Sequence, residues 1–376
     1  MKRNVKISVI LLVLILAFIT PFEAFGDEYE DYLSSFDLSA FESLDSDTED
    51  FLEELEIDSF DYQKISALSF SQIVNHLILS FKNSISKPLG NCVTLIVFIL
   101  MNTFIRSFSG ELENSEMKDF FKNISSLIIC VFLAVTLTDT ITLCGETISL
   151  CAKFAYAFFP AFCIIVSASG GVATSFSVNS MLLTLGQGLN YISELVFLPL
   201  TNCMLALGIC SSLRKDINLT SLISSAKQII TTMISALAAL FISVLSMKTA
   251  VSAKADALGL RSLRFAINSV VPVIGPSISE GLISIQSYSS MIKTSVGIVG
   301  IICVAFIFIP ALTSVAAWRI TLFFCKLCCD VFDDGEAGAS VNAFREALLI
   351  IEVLLILCML TTVISIGILV AARTVD

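Results

Sequence analysis

Residues 268–282 read NSVVPVIGPSISEGL and interrupt a chain that is strongly apolar on both sides of them. Pro272 and Pro276 cannot continue a regular helix, because the proline ring removes a backbone donor and clashes with the preceding turn. Gly275, directly before Pro276, allows backbone angles that other residues avoid. The sequence therefore predicts a sharp break between two helices at this point.

The segments on either side of this break predict helices with a polar face. Residues 254–269, KADALGLRSLRFAINS, mix basic and apolar positions in the manner of a helix at the membrane surface. Ser277 is placed to cap a second helix, with Glu280 at the third position of a capping box. Irregular backbone at membrane depth survives only when protein or a water-filled cavity surrounds it. We therefore expect a broken or re-entrant, pore-lining element near 265–287, with a surface-lying helical hairpin as the alternative.

The composition predicts an all-α, polytopic membrane protein. Of the 376 residues, 56% are hydrophobic and 15% are charged, whereas soluble domains carry about 25% charged residues. Apolar runs of spanning length predict about seven transmembrane helices. These runs lie near 89–106, 124–144, 154–171, 191–211, 228–247, 296–318 and 347–372.

The number of spans and their orientation stay open. The segment 172–190 is less apolar than the others and is either a half-span or a complete crossing. Lys and Arg divide almost evenly between the two sides of the membrane in either arrangement, so the positive-inside rule does not choose between them. The sequence also does not decide whether residues 265–287 cross the membrane.

Several candidate spans contain residues that are costly inside a bilayer. Prolines occur within them at Pro160, Pro199 and Pro310. Such prolines predict kinked helices in a packed bundle, where neighbouring helices satisfy the freed backbone groups. Asp139, Glu194 and Glu352 also lie in apolar runs, and an acid at the bilayer centre costs about 2.5–3.5 kcal/mol. These acids therefore predict a polar interior path; interfacial placement or hydrogen bonding between proteins is the alternative.

The first 26 residues have the three parts of a secretory signal peptide. Basic residues precede an apolar core at 7–19, Pro21 ends that core, and small residues mark an expected cleavage site at Gly26. The core is short for a transmembrane span. We expect a signal peptide at 1–26, with an uncleaved signal anchor as the alternative.

The segment that follows the signal peptide is strongly acidic. Residues 27–62 contain fifteen Asp and Glu and no Lys or Arg, so the rest of the chain is neutral to basic despite a net charge of −11. We expect an acidic extracytoplasmic lead-in at 27–88, followed by a multi-span helical membrane domain at 89–376. Such a lead-in disfavours nucleic-acid binding. It either docks on a partner outside the membrane or stays solvated and keeps the chain oriented.

The sequence lacks the motifs of an enzyme or of a metal site. It contains no phosphate-binding loop, no metalloprotease motif and no nucleophile elbow, and its one histidine is His76. Cys325, Cys328 and Cys329 form CKLCCD, which has the spacing of half a zinc site, but no second pair with usable spacing follows. We expect no catalysis, cofactor, metal or disulfide framework, and the role of these three cysteines stays open.

The interrupted stretch and the span after it resemble the stage III sporulation protein AE family. In VVPVIGPSISEGL, Pro272, Gly275 and Glu280 match one motif of that family. In IKTSVGIVGIICVAFIFIP, Lys293, Gly297 and Gly300 match a second motif. FFPAFCIIVSASGG at 158–171 is similar to an earlier proline span of the family, and the likeness covers roughly 85–372. The candidate pore or assembly segment comprises Asn268, Pro272, Gly275, Pro276, Glu280, Gly281, Lys293, Gly297 and Gly300.

This resemblance implies a non-enzymatic membrane subunit of a sporulation channel or secretion complex that links mother cell and forespore. It implies a multi-pass location in the mother-cell-derived outer forespore membrane, in contact with membrane lipid. The implied partners are a cytosolic secretion-type ATPase and ring-forming membrane proteins. The alternative from the residues themselves is a free-standing secondary transporter, which would also use buried acids and a broken helix.

Overall fold

The computed structural model describes residues 70–110, 115–191, 219–270, 275–332 and 334–371, which form six α-helices and no strand. The helices are α1 (Phe70–Gly110), α2 (Ser115–Ala168), α3 (Val172–Tyr191), α4 (Leu219–Val270), α5 (Gly275–Val331) and α6 (Gly335–Ala371). The prediction of an all-helical chain is confirmed for these residues. The expected signal peptide with Gly26, most of the acidic lead-in and the span at 191–211 with Glu194 and Pro199 lie outside the described residues.

Five helices within the described ranges are long and apolar enough to cross a membrane. Their apolar windows are Pro88–Ile105, Leu127–Ala168, Thr231–Ser269, Ile283–Val331 and Ala337–Ala371. Helix α3 is not among them, in keeping with the weaker hydropathy of 172–190. The chain is thus a multi-pass membrane protein by the length and composition of its helices.

The structure corrects the prediction of separate spans at 124–144 and 154–171, because 124–144 and 154–168 lie in the single helix α2. The intervening residues carry Glu146 and Lys153 on one face, whereas Ile148 and Cys151 on the other face are buried. A segment that is polar on only one face has no reason to leave the helix, since the opposite face packs in the core. At 54 residues α2 is about 80 Å long, at 1.5 Å per residue.

Helices α5 and α6 form a long antiparallel hairpin, with Phe332 and Asp334 in the turn between them. Arg319 of α5 pairs with Glu352 of α6, and Gly297 packs against Val370 far from the turn. Asp334 is buried in the turn and accepts a hydrogen bond from the Ala337 amide at 3.2 Å, so that it caps the start of α6.

Helix α1 lies parallel to α5, and its contacts reach the hairpin turn. Sγ of Cys92 lies 3.7 Å from Sγ of Cys325, and the Asn102 amide donates a hydrogen bond to the buried Asp334 carboxylate. From Cys92 to Asn102 along α1, the partners therefore advance in the same direction, from Cys325 on α5 to Asp334 just after it. This contact ties α1 to the end of the bundle where α5 and α6 connect.

Helix α2 packs antiparallel to α5 and forms the most aromatic part of the core. Phe154, Phe158 and Phe162 stack along α2 with ring centroids 5.1 Å apart in each successive pair. Phe158 faces Gly300, and Phe162 faces Gly297. All three rings are buried. Glycines on α5 thus give the space that the phenylalanines of α2 fill, as expected for close helix packing in membranes.

The predicted break near 268–282 lies between two helices. The helices on either side of it begin and end at residues other than those predicted. Helix α4 ends at Val270 and α5 begins at Gly275. Residues 254–269 continue α4 and do not form a separate surface helix, because no proline interrupts 219–270. Ser277 lies inside α5 and is not its N-cap. Pro276 explains the earlier start, since proline suits the first turn of a helix.

Candidate functional site

A tight turn joins α2 to α3 at Ser169, Gly170 and Gly171. Gly170 has φ of 95°, in the left-handed region that favours glycine. Gly171 donates a backbone hydrogen bond to the Val166 carbonyl at 3.0 Å, and a Cβ on Gly171 would lie only 3.0 Å from that same oxygen. The two glycines let α3 fold back along α2, and Gly186 consequently approaches Tyr156.

Asp256 of α4 caps the start of α3 through three hydrogen bonds. Its carboxylate accepts the amides of Ala173 at 2.6 Å and Thr174 at 2.9 Å, and the Thr174 hydroxyl at 2.7 Å. The Asp256 side chain is buried. The exposed amides at the start of a helix favour a negative charge, so the aspartate supplies from another helix the cap that the Gly-Gly turn cannot provide.

Helix α5 also packs at this point, where the α2–α3 turn meets α4. A Cβ on Gly170 would lie 3.1 Å from Cδ1 of Leu260 and 3.5 Å from Nε2 of Gln286. Nη2 of Arg264 donates to Oε1 of Gln286 at 3.4 Å. The Ser177 and Ser252 hydroxyl oxygens lie 2.6 Å apart between α3 and α4. We call this set, which joins the turn, α4 and α5, the polar junction: Gly170, Gly171, Thr174, Ser177, Ser252, Asp256, Arg264 and Gln286. It places the turn at 169–171 close to the last part of α4 and the first part of α5.

The nine residues of the candidate pore or assembly segment do not form one site. Asn268, Glu280 and Gly281 are exposed. Gly275 and Pro276 are the first two residues of α5, and Pro272 lies outside the described residues. Lys293, Gly297 and Gly300 are buried in the bundle. The two glycines are helix-packing positions, with Gly297 against Phe162 and Val370, and Gly300 against Phe158.

The acids predicted to lie inside the membrane also have different environments. Glu352 forms an ion pair with Arg319, and both side chains are largely buried between α5 and α6. Asp139 is exposed on α2, and Glu194 lies outside the described residues. Sequence reasoning missed Arg319 as the partner, because a pairing between residues 33 positions apart leaves no local pattern.

Three charged side chains form an exposed row on α2. Asp139, Glu146 and Lys153 are seven residues apart and all exposed. Residues seven apart lie on the same face of a helix, about 10 Å from one another. Sequence reasoning considered only Asp139, although the seven-residue spacing was a visible signal. We call this row the charged face of α2.

The cysteines of CKLCCD are separated by the packing of α5. Cys325 and Cys329 are buried, whereas Cys328 is partly exposed. None of the ten described cysteines forms a disulfide. Among the described residues, no group of three or more His, Cys, Asp or Glu side chains is placed to hold a metal ion.

The Arg319–Glu352 pair makes a testable prediction. We expect Arg319→Leu to lower the melting temperature of the purified protein more than the double change Arg319→Leu with Glu352→Leu. The single change leaves one charge without its partner, which costs about 3–5 kcal/mol for a fully buried pair, whereas an apolar replacement of both is often neutral. Equal melting temperatures of the single and double variants would contradict the coupling. Unchanged spore formation in the double variant would indicate that the ion pair stabilises the fold and is not needed for function.

The chain was compared with known proteins at the level of family, sequence and structure. Residues 56–373 match the model of the family described as Stage III sporulation protein AE. A curated relative, Stage III sporulation protein AE of Bacillus subtilis (strain 168), is 21% identical over 250 residues. That match covers 66% of this chain and 61% of the relative. No solved structure matches the chain.

Proposed function

The chain belongs to the stage III sporulation protein AE family and has a role in sporulation, and we propose that it is a non-enzymatic membrane subunit of a channel or secretion complex that links mother cell and forespore. It enters the membrane with a signal peptide that is cleaved after Gly26. It resides in the mother-cell-derived outer forespore membrane. Its partners are a cytosolic secretion-type ATPase and ring-forming membrane proteins.

One observation supports this proposal beyond family membership: three charged side chains of α2 face outward, while aromatic rings fill the bundle on the other side of that helix. Phe158 and Phe162 occupy the space beside Gly300 and Gly297, and the charged face of α2 is exposed. Ionisable groups in a span face a bundle interior or water. An outward charged face is therefore expected of a subunit in which other chains, and not lipid, cover that face.

A free-standing secondary transporter is the second candidate function. Such proteins bind substrate near the middle of the membrane, between discontinuous helices. The largely buried Arg319–Glu352 pair favours this candidate, because a charged pair between spans is typical of transport pathways. The buried phenylalanine rings on either side of Pro160, at Phe158 and Phe162, argue against this candidate, because they fill the space between the helices.

Co-purification from sporulating cells tests the two functions directly. The tagged chain is extracted in mild detergent, and every protein that is retained with it is identified. Recovery together with an ATPase and ring-forming membrane proteins is the expected result. Recovery of the chain alone, from growing as well as sporulating cells, would contradict the subunit function and make substrate flux the next assay.

The helix break makes a second prediction for this function. The double change Pro272→Leu and Gly275→Leu is expected to abolish spore formation without preventing membrane insertion. Leucine favours the helix interior by about 3 kcal/mol over proline and about 1 kcal/mol over glycine, so α4 and α5 would tend to run together. Gly259→Leu in α4 is the matched control, because a Cβ there meets no atom within 4 Å. Normal heat-resistant spore counts in the double variant would refute the prediction.

A further inference from the structure

The contacts of α2 with α5 and α6 indicate where its charged face lies relative to the apolar runs of those helices. Thr140 and Ser314 place their hydroxyl oxygens 3.5 Å apart, and Phe158 contacts Gly300. Residues 140–158 of α2 therefore lie alongside 300–314 of α5, in the middle of that helix's apolar run at 296–318. Cys151 of α2 likewise lies beside Thr362 of α6, with the sulfur 3.8 Å from the hydroxyl oxygen.

This register places Asp139 near one end of the apolar run of α5 at 296–318 and Glu146 close to its middle. If α5 and α6 cross the bilayer through their apolar runs, then Asp139, Glu146 and Lys153 all lie between the two membrane surfaces. From Asp139 to Lys153 the row extends about 20 Å along the helix axis, within a hydrocarbon layer of about 30 Å. Long side chains near the ends of a span reach the interface, but Glu146 is in the middle of this row.

Polar side chains also lie between the charges, next to the partly exposed Leu143 and Leu150. Thr138 and Thr142 are exposed and Ser149 is partly exposed on this side of α2. The outer face is thus hydrophilic on the side of the charged row where Thr142 and Ser149 lie, whereas the opposite face, with Ile141 and Ile148, is buried in the core. Lipid is an unfavourable neighbour for such a face, because each ionised group at the bilayer centre costs about 2.5–3.5 kcal/mol.

We propose that the charged face of α2 lines a water-filled passage that is completed by other chains of the complex and that carries small hydrated solutes. The inference rests on the proposed function, since it needs neighbouring subunits. Water fits this face better than a dry protein contact does. Successive charges are about 10 Å apart, too far to pair with one another. A dry contact would take these charged groups out of water, and every desolvated ion costs several kcal/mol.

Thiol labelling in native membranes tests the passage. Thr142→Cys and Ser149→Cys introduce thiols between the three charges, and each full-length variant is treated with a charged, membrane-impermeant thiol reagent. Because the thiolate is the reacting species, a position in water is expected to react several-fold faster than one in lipid. Leu237→Cys and Leu240→Cys are the controls, since both are exposed apolar positions in the candidate span of α4. The wild-type chain gives the background of the native cysteines.

The outcomes separate the possible surroundings of this face. Fast labelling of both α2 positions in membranes, with slow labelling of both α4 controls, supports the passage. Slow labelling in membranes that becomes fast once the chain is purified away from its partners indicates a dry subunit contact and overturns it. Labelling as slow as that of Leu240→Cys in both preparations indicates lipid and also overturns it.

The same membranes distinguish failure of the passage from failure of the proposed function. Co-purifying proteins are identified from each labelled preparation before the reagent is added. Absence of any partner contradicts the subunit function, whatever the labelling rates are. Partners present with slow labelling overturn only the passage. Two test positions keep the outcome decisive, because a variant that does not accumulate is replaced by the other.

Discussion

Replacing Gly297 with leucine is expected to abolish stable accumulation of the protein and, with it, spore formation. A Cβ at this position would overlap Cγ2 of Val370 on α6 and lie 3.2 Å from Cζ of Phe162 on α2. Three helices meet here, so a longer side chain cannot be accommodated by moving one of them alone. Overpacking costs about 1–3 kcal/mol and occasionally more, and we expect the upper end of that range. Immunoblotting of membranes and heat-resistant spore counts measure the two effects.

A matched glycine and a compensating change make this prediction specific. Gly367→Leu on α6 is the control, because it lies one turn from Val370 and a Cβ there meets no atom within 4 Å. Adding Val370→Ala to Gly297→Leu removes part of the overlap and is expected to restore some accumulation. Trp318, the single tryptophan, is buried in α5 and reports unfolding by its fluorescence. A Gly297→Leu protein with a wild-type melting temperature would show that the helices separate here at no cost.

The general architecture was predictable because it depends on properties that are local in the sequence. Apolar runs near 296–318 and 347–372 became the paired helices α5 and α6. The break near 268–282 falls between α4 and α5, since prolines and glycine act on their own backbone. Gly297 and Gly300 were singled out by a family motif, and the structure adds that they receive Phe162 and Phe158.

The continuity of α2 could not be predicted from hydropathy. A sliding average over 145–153 reports a polar interruption, because it adds Glu146 and Lys153 to their apolar neighbours. The helix separates the two kinds of residue onto opposite faces, and the buried face holds the segment in the bundle. Counting residues around the helix, instead of averaging along it, would have identified the charged face at its seven-residue spacing.

The polar junction was unpredictable for a different reason, which is distance along the chain. Asp256 lies 82 residues from Thr174, whose amide and hydroxyl it accepts. In the sequence Asp256 is one acid within a basic amphipathic segment, and Gly170 and Gly171 mark only a small-residue turn. Neither feature specifies the other, because the cap forms only when α3 and α4 pack side by side.

Replacing Asp256 with alanine is expected to detach the start of α3 from α4. The change leaves the amides of Ala173 and Thr174 without their acceptor in a buried place, and hydrogen bonds to a charged group contribute about 1.5–3 kcal/mol each. Because the lost bonds share one carboxylate, we expect a total loss of about 2–4 kcal/mol. Hydrogen exchange of the amides at 172–178 in the detergent-purified protein measures the local effect, and Trp318 fluorescence measures the global one.

A graded series identifies the cap as the cause of the Asp256 effect. Asp256→Asn retains one acceptor oxygen and is expected to fall between wild type and Asp256→Ala, whereas Thr174→Val removes only the hydroxyl bond and should have the smallest effect. Asp330→Asn is the control, since that acid is exposed and pairs with Lys326 of its own helix, a type of pair worth about 0.3–0.5 kcal/mol. If exchange at 172–178 is as slow in Asp256→Ala as in Asp330→Asn, α3 holds its position without the cap. Faster exchange with unchanged global melting would instead make the α2–α3 turn a locally mobile element, held closed by one carboxylate.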